Sequence, residues 1–402
     1  MEKRVFLVVL DGFGVGASED AGLFGDEGSN TLENVNKQVP LKIPTFKAMG
    51  LTSIDGLNFK KEPNILGAYG KMRELSKGKD TTTGHFEMMG IISKVAMPTF
   101  PNGFPSEIIK KLEDAFGTKI LGNCVASGTQ IIQDLGEEHL KTGYPIVYTS
   151  ADSVLQIATH TSVVPLNKLY DYCQKARDIM QGKYAVGRII ARPFEGTVGN
   201  FVRINEGRKD YSLIPDKNNS MQRLFDAGVN VVSVGKISEI FADQAITKKY
   251  LNHNNQDAIK VSLQLQDDMK SGFAFINFVD TDMLYGHRNN VKGYAGSLEQ
   301  TDEFLSKFIS KMQKDDILIL TGDHGNDPTT PSTDHSREFT PILVVGSNVN
   351  KNLDLGILNG FDNIGKLVES YLLGTKSQIG DIVLKKWFDI FIFDKRIIWK
   401  NW

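Results

Sequence analysis

The segment Ile317-Leu-Ile-Leu-Thr-Gly-Asp-His324 indicates which class of fold the chain adopts. Residues 317–321 form a short, mainly apolar run, and Gly322 and Asp323 follow it directly. Such runs are typical of strands that are buried on both faces of a parallel sheet. The segment therefore predicts a buried strand that presents a carboxylate and an imidazole at its C-terminal end.

Two other apolar runs end in the same way. The run at 5–10 is followed by Asp11, and the run at 273–279 is followed by Asp280 and Asp282. Strands that alternate with helices predict an α/β core with a mainly parallel sheet flanked by helices, and helical patterns lie at 255–270, 296–312 and 362–373. Because ligands bind beyond the carboxyl ends of such strands, we expect the three acidic strand ends to lie together.

The composition restricts the classes of function. The chain has 402 residues, which predicts two or three domains, and 46 Lys and Arg against 48 Asp and Glu give a formal net charge of −2. This balance lacks the cationic field on which nonspecific nucleic-acid binding depends, so we expect no nucleic-acid partner. No apolar run is long enough for a membrane span or a secretory signal, and the cysteines form no C-x-x-C pair, so we expect a cytoplasmic protein without a membrane partner.

The middle of the chain differs in composition from the two ends. Prolines concentrate at 98–105, and Pro215 precedes a polar stretch. Between these points, helical patterns lie at 106–116 and 166–180, and strand patterns lie at 146–149 and 186–191. We therefore expect a smaller α+β cap domain at 98–217, inserted into a metal-binding catalytic core formed by 1–97 and 218–402. A single continuous sheet is the alternative.

Aspartate and histidine residues concentrate at the three strand ends. Carboxylates and imidazoles without thiolates suit Mn²⁺, Zn²⁺ or Mg²⁺, and two such ions can hold both the attacking and the leaving oxygen of a phosphoryl transfer. Two divalent cations against three carboxylates leave a positive charge that suits a phosphate group. For any single aspartate, a turn or a helix cap is the alternative role. The candidate ligands are Asp11, Asp282, His287, Asp323, His324 and His335.

The segment Gly78-Lys-Asp-Thr-Thr-Thr-Gly-His85 offers a nucleophile. Its three consecutive threonines precede an apolar stretch at 86–92, for which we expect a helix. A hydroxyl at a helix start can be activated beside a metal ion, although capping of the helix is the commoner use of such residues. The spacing does not choose among the three threonines, and we expect His85 to be a packing residue or to support the ligands.

These segments resemble the bacterial phosphopentomutase family, from about Arg4 to about Gly380. The resemblance also rests on Asp11-Gly-Phe-Gly-Val-Gly16, Val147-Tyr-Thr-Ser-Ala-Asp-Ser153 and Val186-Gly-Arg-Ile-Ile-Ala-Arg-Pro193. It implies an alkaline-phosphatase-like fold and an enzyme that interconverts ribose 1-phosphate and ribose 5-phosphate, and the 2-deoxyribose equivalents. It further implies two Mn²⁺ ions and a phosphothreonine, with Zn²⁺ or Mg²⁺ as substitute ions.

By matching position, the resemblance implies a role for each candidate residue. Thr81 would be the nucleophile, and a sugar bisphosphate such as glucose 1,6-bisphosphate would prime it. One ion would be bound by Asp282, His287 and His335, and the other by Asp11, Asp323 and His324. The phosphosugar substrate would be contacted by Ser150, Asp152, Val154, Arg188, Ile190, Arg203 and Lys236.

Two other functions stay open from the sequence. A cofactor-independent phosphoglycerate mutase or a phosphohydrolase would share the superfamily, although the phosphoglycerate enzyme uses a serine and the matching segment here has only threonines. A non-catalytic phosphosugar-binding protein would lack some of the ligands or Thr81, and all of them are present. The sequence indicates neither the oligomeric state nor a role for the segment that holds the chain's three tryptophans, at 387–402.

Overall fold

The computed structural model describes residues 2–385 apart from Ala151 and His253, so the tryptophan-containing segment lies outside the described residues. The strands are, in chain order, β1 Arg4–Leu10, β2 Ala68–Arg73, β3 Leu121–Val125, β4 Ile146–Thr149, β5 Val154–His160, β6 Arg188–Thr197, β7 Asn200–Arg203, β8 Lys209–Ser212, β9 Val231–Val234, β10 Lys248–Tyr250, β11 Gly272–Phe278, β12 Asp316–Gly322, β13 Thr340–Gly346 and β14 Leu353–Asn359. The helices are α1 Thr31–Gln38, α2 Pro44–Met49, α3 Thr81–Met88, α4 Ser106–Phe116, α5 Gln130–Thr142, α6 Leu166–Ile179, α7 Ser220–Asp226, α8 Ile237–Ile240, α9 Asn255–Asp268, α10 Val291–Ser310, α11 Asn363–Leu373 and α12 Gln378–Val383.

The described residues form two compact units. The core unit comprises the chain up to Lys94, Asp216–Ser238 and the chain from Asp243 onwards. The inserted unit comprises Val95–Pro215 and Glu239–Ala242. The division predicted from the sequence, with an inserted domain at 98–217, did not include residues 239–242. The assignment of catalysis to one unit and a cap role to the other stays a prediction.

The core unit is built on one sheet with the strand order β10-β9-β11-β1-β12-β13-β2-β14. Neighbouring strands are parallel except at β13, which is antiparallel to both β12 and β2. Every residue of β1, β11 and β12 is buried, which explains why these strands are continuous apolar runs in the sequence. The predicted mainly parallel α/β core is confirmed.

The register of the three central strands places their carboxyl ends at one edge. Leu10 of β1 lies opposite Phe278 of β11 and Gly322 of β12. At the other end of the sheet, the buried Arg4 guanidinium donates to both carboxylate oxygens of Asp316, at 2.7 and 2.8 Å. This two-point ion pair fixes β1 against β12, so the residues that follow each strand emerge side by side.

Two helix starts differ from the predictions. Helix α3 begins at Thr81, before the predicted stretch at 86–92, because the Asp80 side chain caps it by accepting from the backbone N–H of Thr83. The prediction that the threonines precede the helix was therefore wrong. Helix α10 begins at Val291, earlier than the predicted 296, because Asn290 caps it in the same way.

The inserted unit has a separate mixed sheet with the order β3-β4-β5-β6-β7, and β8 pairs with β6. Helices α4 and α6 contribute to a hydrophobic cluster with Leu155, Ile157 and Ile189 of this sheet. Helix α5 contributes to a second cluster with Tyr148 and Phe194. The predicted α+β architecture of this part is confirmed, and the alternative of one continuous sheet is wrong.

Membrane-spanning helices were searched for among the described residues, and none of those helices combines the necessary length and apolarity.

Candidate active site

The turns after β1, β11 and β12 lie together at the carboxyl edge of the core sheet. The buried Asp11 follows β1, and the next residue, Gly12, donates its backbone N–H to Oδ1 of Asp323 at 3.0 Å. Gly12 has a φ of +76°, and a Cβ added to it would lie 2.9 Å from Cβ of Asn326. The close approach of the turns therefore requires glycine at this position.

The hydroxyl of Thr81 points into this cluster from the first turn of α3. Its Oγ1 lies 3.2 Å from Nε2 of His324 and 3.4 Å from Oδ1 of Asp11. By contrast, Oγ1 of Thr83 donates to Oδ2 of Asp80 at 2.5 Å and thereby supports the helix cap. For Thr82, the described contacts include no hydrogen bond to the cluster. The sequence could not separate the three threonines, and of the three it is Thr81 whose described contacts reach the cluster.

One group of ligand atoms is formed by Asp282, His287 and His335, all within 4.8 Å of one another. Nε2 of His287 lies 3.2 Å from Oδ2 of Asp282, and Nε2 of His335 lies 3.4 Å from Oδ1 of the same carboxylate. Nδ1 of His287 donates to the carbonyl oxygen of Thr333 at 2.6 Å. This hydrogen bond orients the ring so that Nε2 faces the carboxylate.

A second group is formed by Asp11, Asp282 and His324, again within 4.8 Å. Asp282 thus belongs to both groups, whereas the family resemblance placed it with one ion only. Asp323, which the resemblance assigned to this second ion, has Oδ2 at 3.3 Å from Nε2 of His324. All six residues singled out in the sequence therefore lie in one connected cluster.

The donor atoms of this cluster suit a divalent cation. Among the described residues, the buried Oδ2 of Asp323 accepts no hydrogen bond. Nδ1 of His324 lies 3.0 Å from the carbonyl oxygen of Gly325, which can only accept, so Nδ1 carries the proton and Nε2 can present a lone pair. A carboxylate oxygen and an imidazole lone pair that face each other fit a shared ion such as Mn²⁺, Zn²⁺ or Mg²⁺.

The charges in the cluster shift the pKa values of its members. Burial raises the pKa of Asp282, but His335 and His287 outweigh this effect and hold the pKa well below its ordinary value of 3.8. The hydrogen bond to Asp282 raises the pKa of His287 to about 9. Burial lowers the pKa of His324, but Asp323 and the carboxylates near it raise that pKa well above its ordinary value. The ionised carboxylates that favour a proton on these imidazoles would equally favour a metal cation in place of that proton.

Several supporting residues were not found from the sequence. Tyr294 donates to the carbonyl oxygen of Gly12 at 2.7 Å, and Thr281 donates to that of Asp11 at 2.6 Å. Asn277 donates to Oδ2 of Asp11 at 3.3 Å, and Asn326 donates to Oδ1 of Asp282 at 2.6 Å. Asn277 had a detectable signal, since it is an amide inside an otherwise apolar strand. The others have no local signal, because their partners are distant in the chain.

The loop that leads to Thr81 is held by a buried guanidinium. Arg337 donates to the carbonyl oxygen of Gly78 at 2.7 Å, to the carboxylate of Glu74 at 2.6 Å and to both carboxylate oxygens of Asp20. Next in this loop, Lys79 lies 3.0 Å from Asp26. These ion pairs fix the approach to α3, and neither was predicted.

The predicted substrate residue of the core unit, Lys236, lies close to the cluster. Its Nζ is 3.8 Å from Oδ2 of Asp11 and its side chain is partly exposed. Burial raises the pKa of Asp11, but the charge of Lys236 and the groups around it lower that pKa overall.

The other predicted substrate residues belong to the inserted unit. Ser150 and Asp152 lie between β4 and β5, and Arg203 ends β7. Val154 pairs in register with Arg188 on the neighbouring strand β6, which also carries Ile190. The side chains of Val154 and Ile190 are buried, and Nη1 of Arg188 lies 3.5 Å from Oδ2 of Asp210.

Comparisons with known proteins identify the relatives of this chain. The profile of a family described as the Metalloenzyme superfamily matches residues 3–375. A phosphopentomutase of Acetivibrio thermocellus is 49% identical over 372 residues, which cover 92% of this chain and 96% of the relative. A phosphopentomutase of Carboxydothermus hydrogenoformans is 50% identical over 380 residues, which cover 94% of this chain and 97% of the relative.

Among solved structures, the PH0037 protein from Pyrococcus horikoshii has a TM-score of 0.50 and 15% sequence identity. The match covers 94% of this chain and 99% of the PH0037 chain. This likeness concerns the fold alone. The family profile includes the turns after β1, β11 and β12, and the two relatives cover more than nine tenths of the chain. The chain therefore belongs to the phosphopentomutase family of the metalloenzyme superfamily.

Proposed function

We propose that this member of the family interconverts ribose 1-phosphate and ribose 5-phosphate, and the 2-deoxyribose equivalents, through a phosphorylated Thr81. The activity itself follows from the family. The observation that supports the nucleophile is the position of Oγ1 of Thr81, 3.2 Å from Nε2 of His324 and 3.4 Å from Oδ1 of Asp11. A hydroxyl held against candidate metal ligands at a helix start is suited to nucleophilic attack on phosphorus.

Six residues would hold two divalent cations, with Mn²⁺ as the proposed metal. Asp282, His287 and His335 would bind one ion, and Asp11, Asp323 and His324 would bind the other. When bound, the ions would stabilise the charge on the oxygens of the phosphoryl group and favour ionisation of the attacking hydroxyl. The finding that Asp282 belongs to both ligand groups supports two ions that lie close together.

The proposed reaction has two phosphoryl transfers at Thr81. In the first, O1 of ribose 5-phosphate attacks the phosphorus of phosphorylated Thr81, the bond to Oγ1 breaks, and ribose 1,5-bisphosphate forms. In the second, Oγ1 attacks the phosphorus at position 5, and ribose 1-phosphate leaves with a hydroxyl at O5. The proton that O1 loses balances the proton that O5 gains. A sugar bisphosphate such as glucose 1,6-bisphosphate would supply the first phosphoryl group.

The residues of the chain would orient the substrate during both transfers. Lys236, whose Nζ lies 3.8 Å from Oδ2 of Asp11, would place a positive charge where a phosphate would approach. Contact with the sugar and its second phosphate is proposed for the residues of the inserted unit that the sequence indicated: Ser150, Asp152, Val154, Arg188, Ile190 and Arg203. A cytoplasmic location and the absence of nucleic-acid and membrane partners stay predictions.

Mass spectrometry tests the assignment of Thr81. After incubation with Mn²⁺ and glucose 1,6-bisphosphate, we expect one phosphoryl group on the peptide that carries Thr81. Thr81→Ala should gain no phosphoryl group, and its turnover of ribose 1-phosphate should be at least about 1000-fold slower than that of the wild type. Thr82→Ala is the matched control and should still be phosphorylated. Normal turnover by Thr81→Ala would refute the nucleophile.

A substrate comparison tests the rival activity. Faster turnover of 3-phosphoglycerate than of ribose 5-phosphate would favour the phosphoglycerate mutase reaction, and we expect turnover of the pentose phosphates only. Chelation should abolish turnover, and Mn²⁺ should restore it.

A further inference from the structure

We propose that His85 is a positioning residue that couples the nucleophile to a metal ligand. The inference rests on the proposed function, because it takes Thr81 as the nucleophile and Asp323 as a ligand. His85 lies one turn beyond Thr81 on α3 and its side chain is fully buried. The sequence indicated either packing or support of the ligands, and the contacts favour support.

A single ring nitrogen of His85 contacts both partners. Nδ1 lies 2.8 Å from the carbonyl oxygen of Thr81 and 3.2 Å from Oδ2 of Asp323. Both of these oxygens can only accept a hydrogen bond, so Nδ1 must carry the proton. The shorter contact is the hydrogen bond to the carbonyl, and the same N–H places its positive end beside the Asp323 carboxylate oxygen, which accepts no hydrogen bond from a described residue.

The rest of the ring is held by packing. The imidazole stacks on the ring of Phe275 in β11 with a centroid distance of 5.7 Å, and Nε2 has no hydrogen-bond partner among the described residues. Burying an imidazole nitrogen without a hydrogen-bond partner costs free energy, so a histidine at such a position calls for an explanation. Phenylalanine would fill the same space without this cost, so the N–H at Nδ1 is the feature that explains a histidine here.

The neighbouring residue makes the contact rigid. A Cβ added to Gly84 would lie 2.1 Å from the backbone oxygen of Asp323, so α3 packs directly against the end of β12. Thr81 and Asp323 therefore cannot move independently while the Nδ1 contacts persist. Residues behind a metal ligand that orient it typically change metal affinity by about 10- to 100-fold when they are replaced.

Three substitutions at this position separate the hydrogen bond from packing. His85→Phe keeps a ring against Phe275 and removes the N–H. His85→Asn places an amide N–H near the position of Nδ1, whereas His85→Gln places it near Nε2. The matched control is His139→Phe in the inserted unit, because His139 is also fully buried and its Nδ1 donates to a carbonyl oxygen, that of Tyr144, at 2.7 Å.

The first measurement is the binding of Mn²⁺ alone to the metal-free protein. Electron paramagnetic resonance of the free ion monitors this binding. We expect His85→Phe and His85→Gln to bind Mn²⁺ about 10- to 100-fold more weakly than the wild type. His85→Asn should recover most of the affinity, and His139→Phe should bind like the wild type. The second measurement is the rate at which Thr81 is phosphorylated, which should fall and recover in the same order.

The inference is overturned if His85→Phe binds Mn²⁺ as the wild type does, or if His85→Asn is as weak as His85→Phe. Equal weakening by His139→Phe would also overturn it, since any buried histidine would then have the same effect. Phosphorylation of the wild type is measured in parallel. Absence of phosphate on wild-type Thr81 contradicts the proposed function, whereas normal phosphorylation of both wild type and His85→Phe contradicts only the role of His85.

Discussion

Nε2 of His287 and Nε2 of His335 face each other at 3.2 Å. Because Nδ1 of His287 already donates to a backbone carbonyl, its Nε2 has either a lone pair or a second proton. Two lone pairs at this distance repel, and two protons would repel more strongly. A cation or one shared proton between the two Nε2 atoms removes this repulsion. A metal ion and a proton therefore compete for the space between the rings.

This competition predicts a pH dependence for the metal-free protein. The folded-state pKa of His287 is raised to about 9 from its ordinary value of 6.5, because it donates to Asp282. The stability that this ion pair contributes is fully present below pH 6.5 and is lost as the pH rises through about 9. We expect the melting temperature of the metal-free protein to fall across this interval, and less so in His287→Asn.

Metal binding should follow the opposite trend. The affinity for Mn²⁺ should rise as the pH increases from 6.5 to about 9, because the imidazole loses the proton that competes with the ion. Calorimetric titrations in buffers of different ionisation enthalpy would measure the protons released. An affinity that is independent of pH would contradict the assignment of His287 as a ligand.

Alanine at Gly84 should separate α3 from the end of β12. The added Cβ would lie 2.1 Å from a backbone oxygen, so the helix must move, and we expect a loss of about 1–3 kcal/mol in the free energy of unfolding. Gly296→Ala is the control, since this exposed helical position has no atom within 4 Å of the added Cβ, and it should gain about 0.5–1 kcal/mol. Urea unfolding of both variants checks the prediction, and equal effects would contradict it.

Replacement of Arg337 by Met should destabilise the loop before Thr81. The buried guanidinium is the partner of Glu74 and Asp20, and its removal leaves the Glu74 carboxyl buried without a cation. We expect a loss of about 3–5 kcal/mol in the free energy of unfolding, together with slower phosphorylation of Thr81. Lys110→Ala removes an exposed pair with Asp114 and should have no measurable effect. Similar unfolding curves for the two variants would refute this account.

Lys236→Gln should weaken the binding of the substrate without weakening the binding of Mn²⁺. Loss of the charge should raise KM for ribose 1-phosphate by about 10- to 100-fold, the usual effect of losing a hydrogen bond to a charged group. The same loss removes a repulsive charge 3.8 Å from Asp11, so Mn²⁺ should bind at least as tightly as in the wild type. Lys236→Arg, which retains the charge, is the control. Weaker Mn²⁺ binding by the glutamine variant would indicate that Lys236 acts through structure instead.

The sequence predicted those parts of the fold that depend on local patterns. Strands β1, β11 and β12 are continuous apolar runs because both faces are covered, and each ends at a candidate ligand. Strand β14 was not predicted, because it lies at the edge of the sheet and none of its residues is fully buried, so it lacks the continuous apolar run of the central strands. The start of α3 was misplaced because the capping aspartate stands directly before the threonines that were expected to precede the helix.

In the candidate site, too, the parts that depend on local sequence patterns were predicted. Its ligands follow recognisable strands, and the family resemblance supplied their roles. The residues that orient them could not be predicted, because Tyr294 and Gly12 are 282 residues apart in the chain, and Asn277 and Asp11 are 266 apart. Hydrogen bonds between such distant residues leave no pattern in a single sequence.

The position of β1 in the core sheet restricts how the protein folds during synthesis. Strand β1 lies between β11 and β12, so its first neighbour is complete only when residue 278 has been translated and its second only at residue 322. The inserted unit, whose strands and helices come almost entirely from Val95–Pro215, is complete much earlier. Since domains generally fold as units in the order of their synthesis, β1 would remain an unpaired apolar segment while the inserted unit folds, and such a segment is prone to aggregate until its partners arrive.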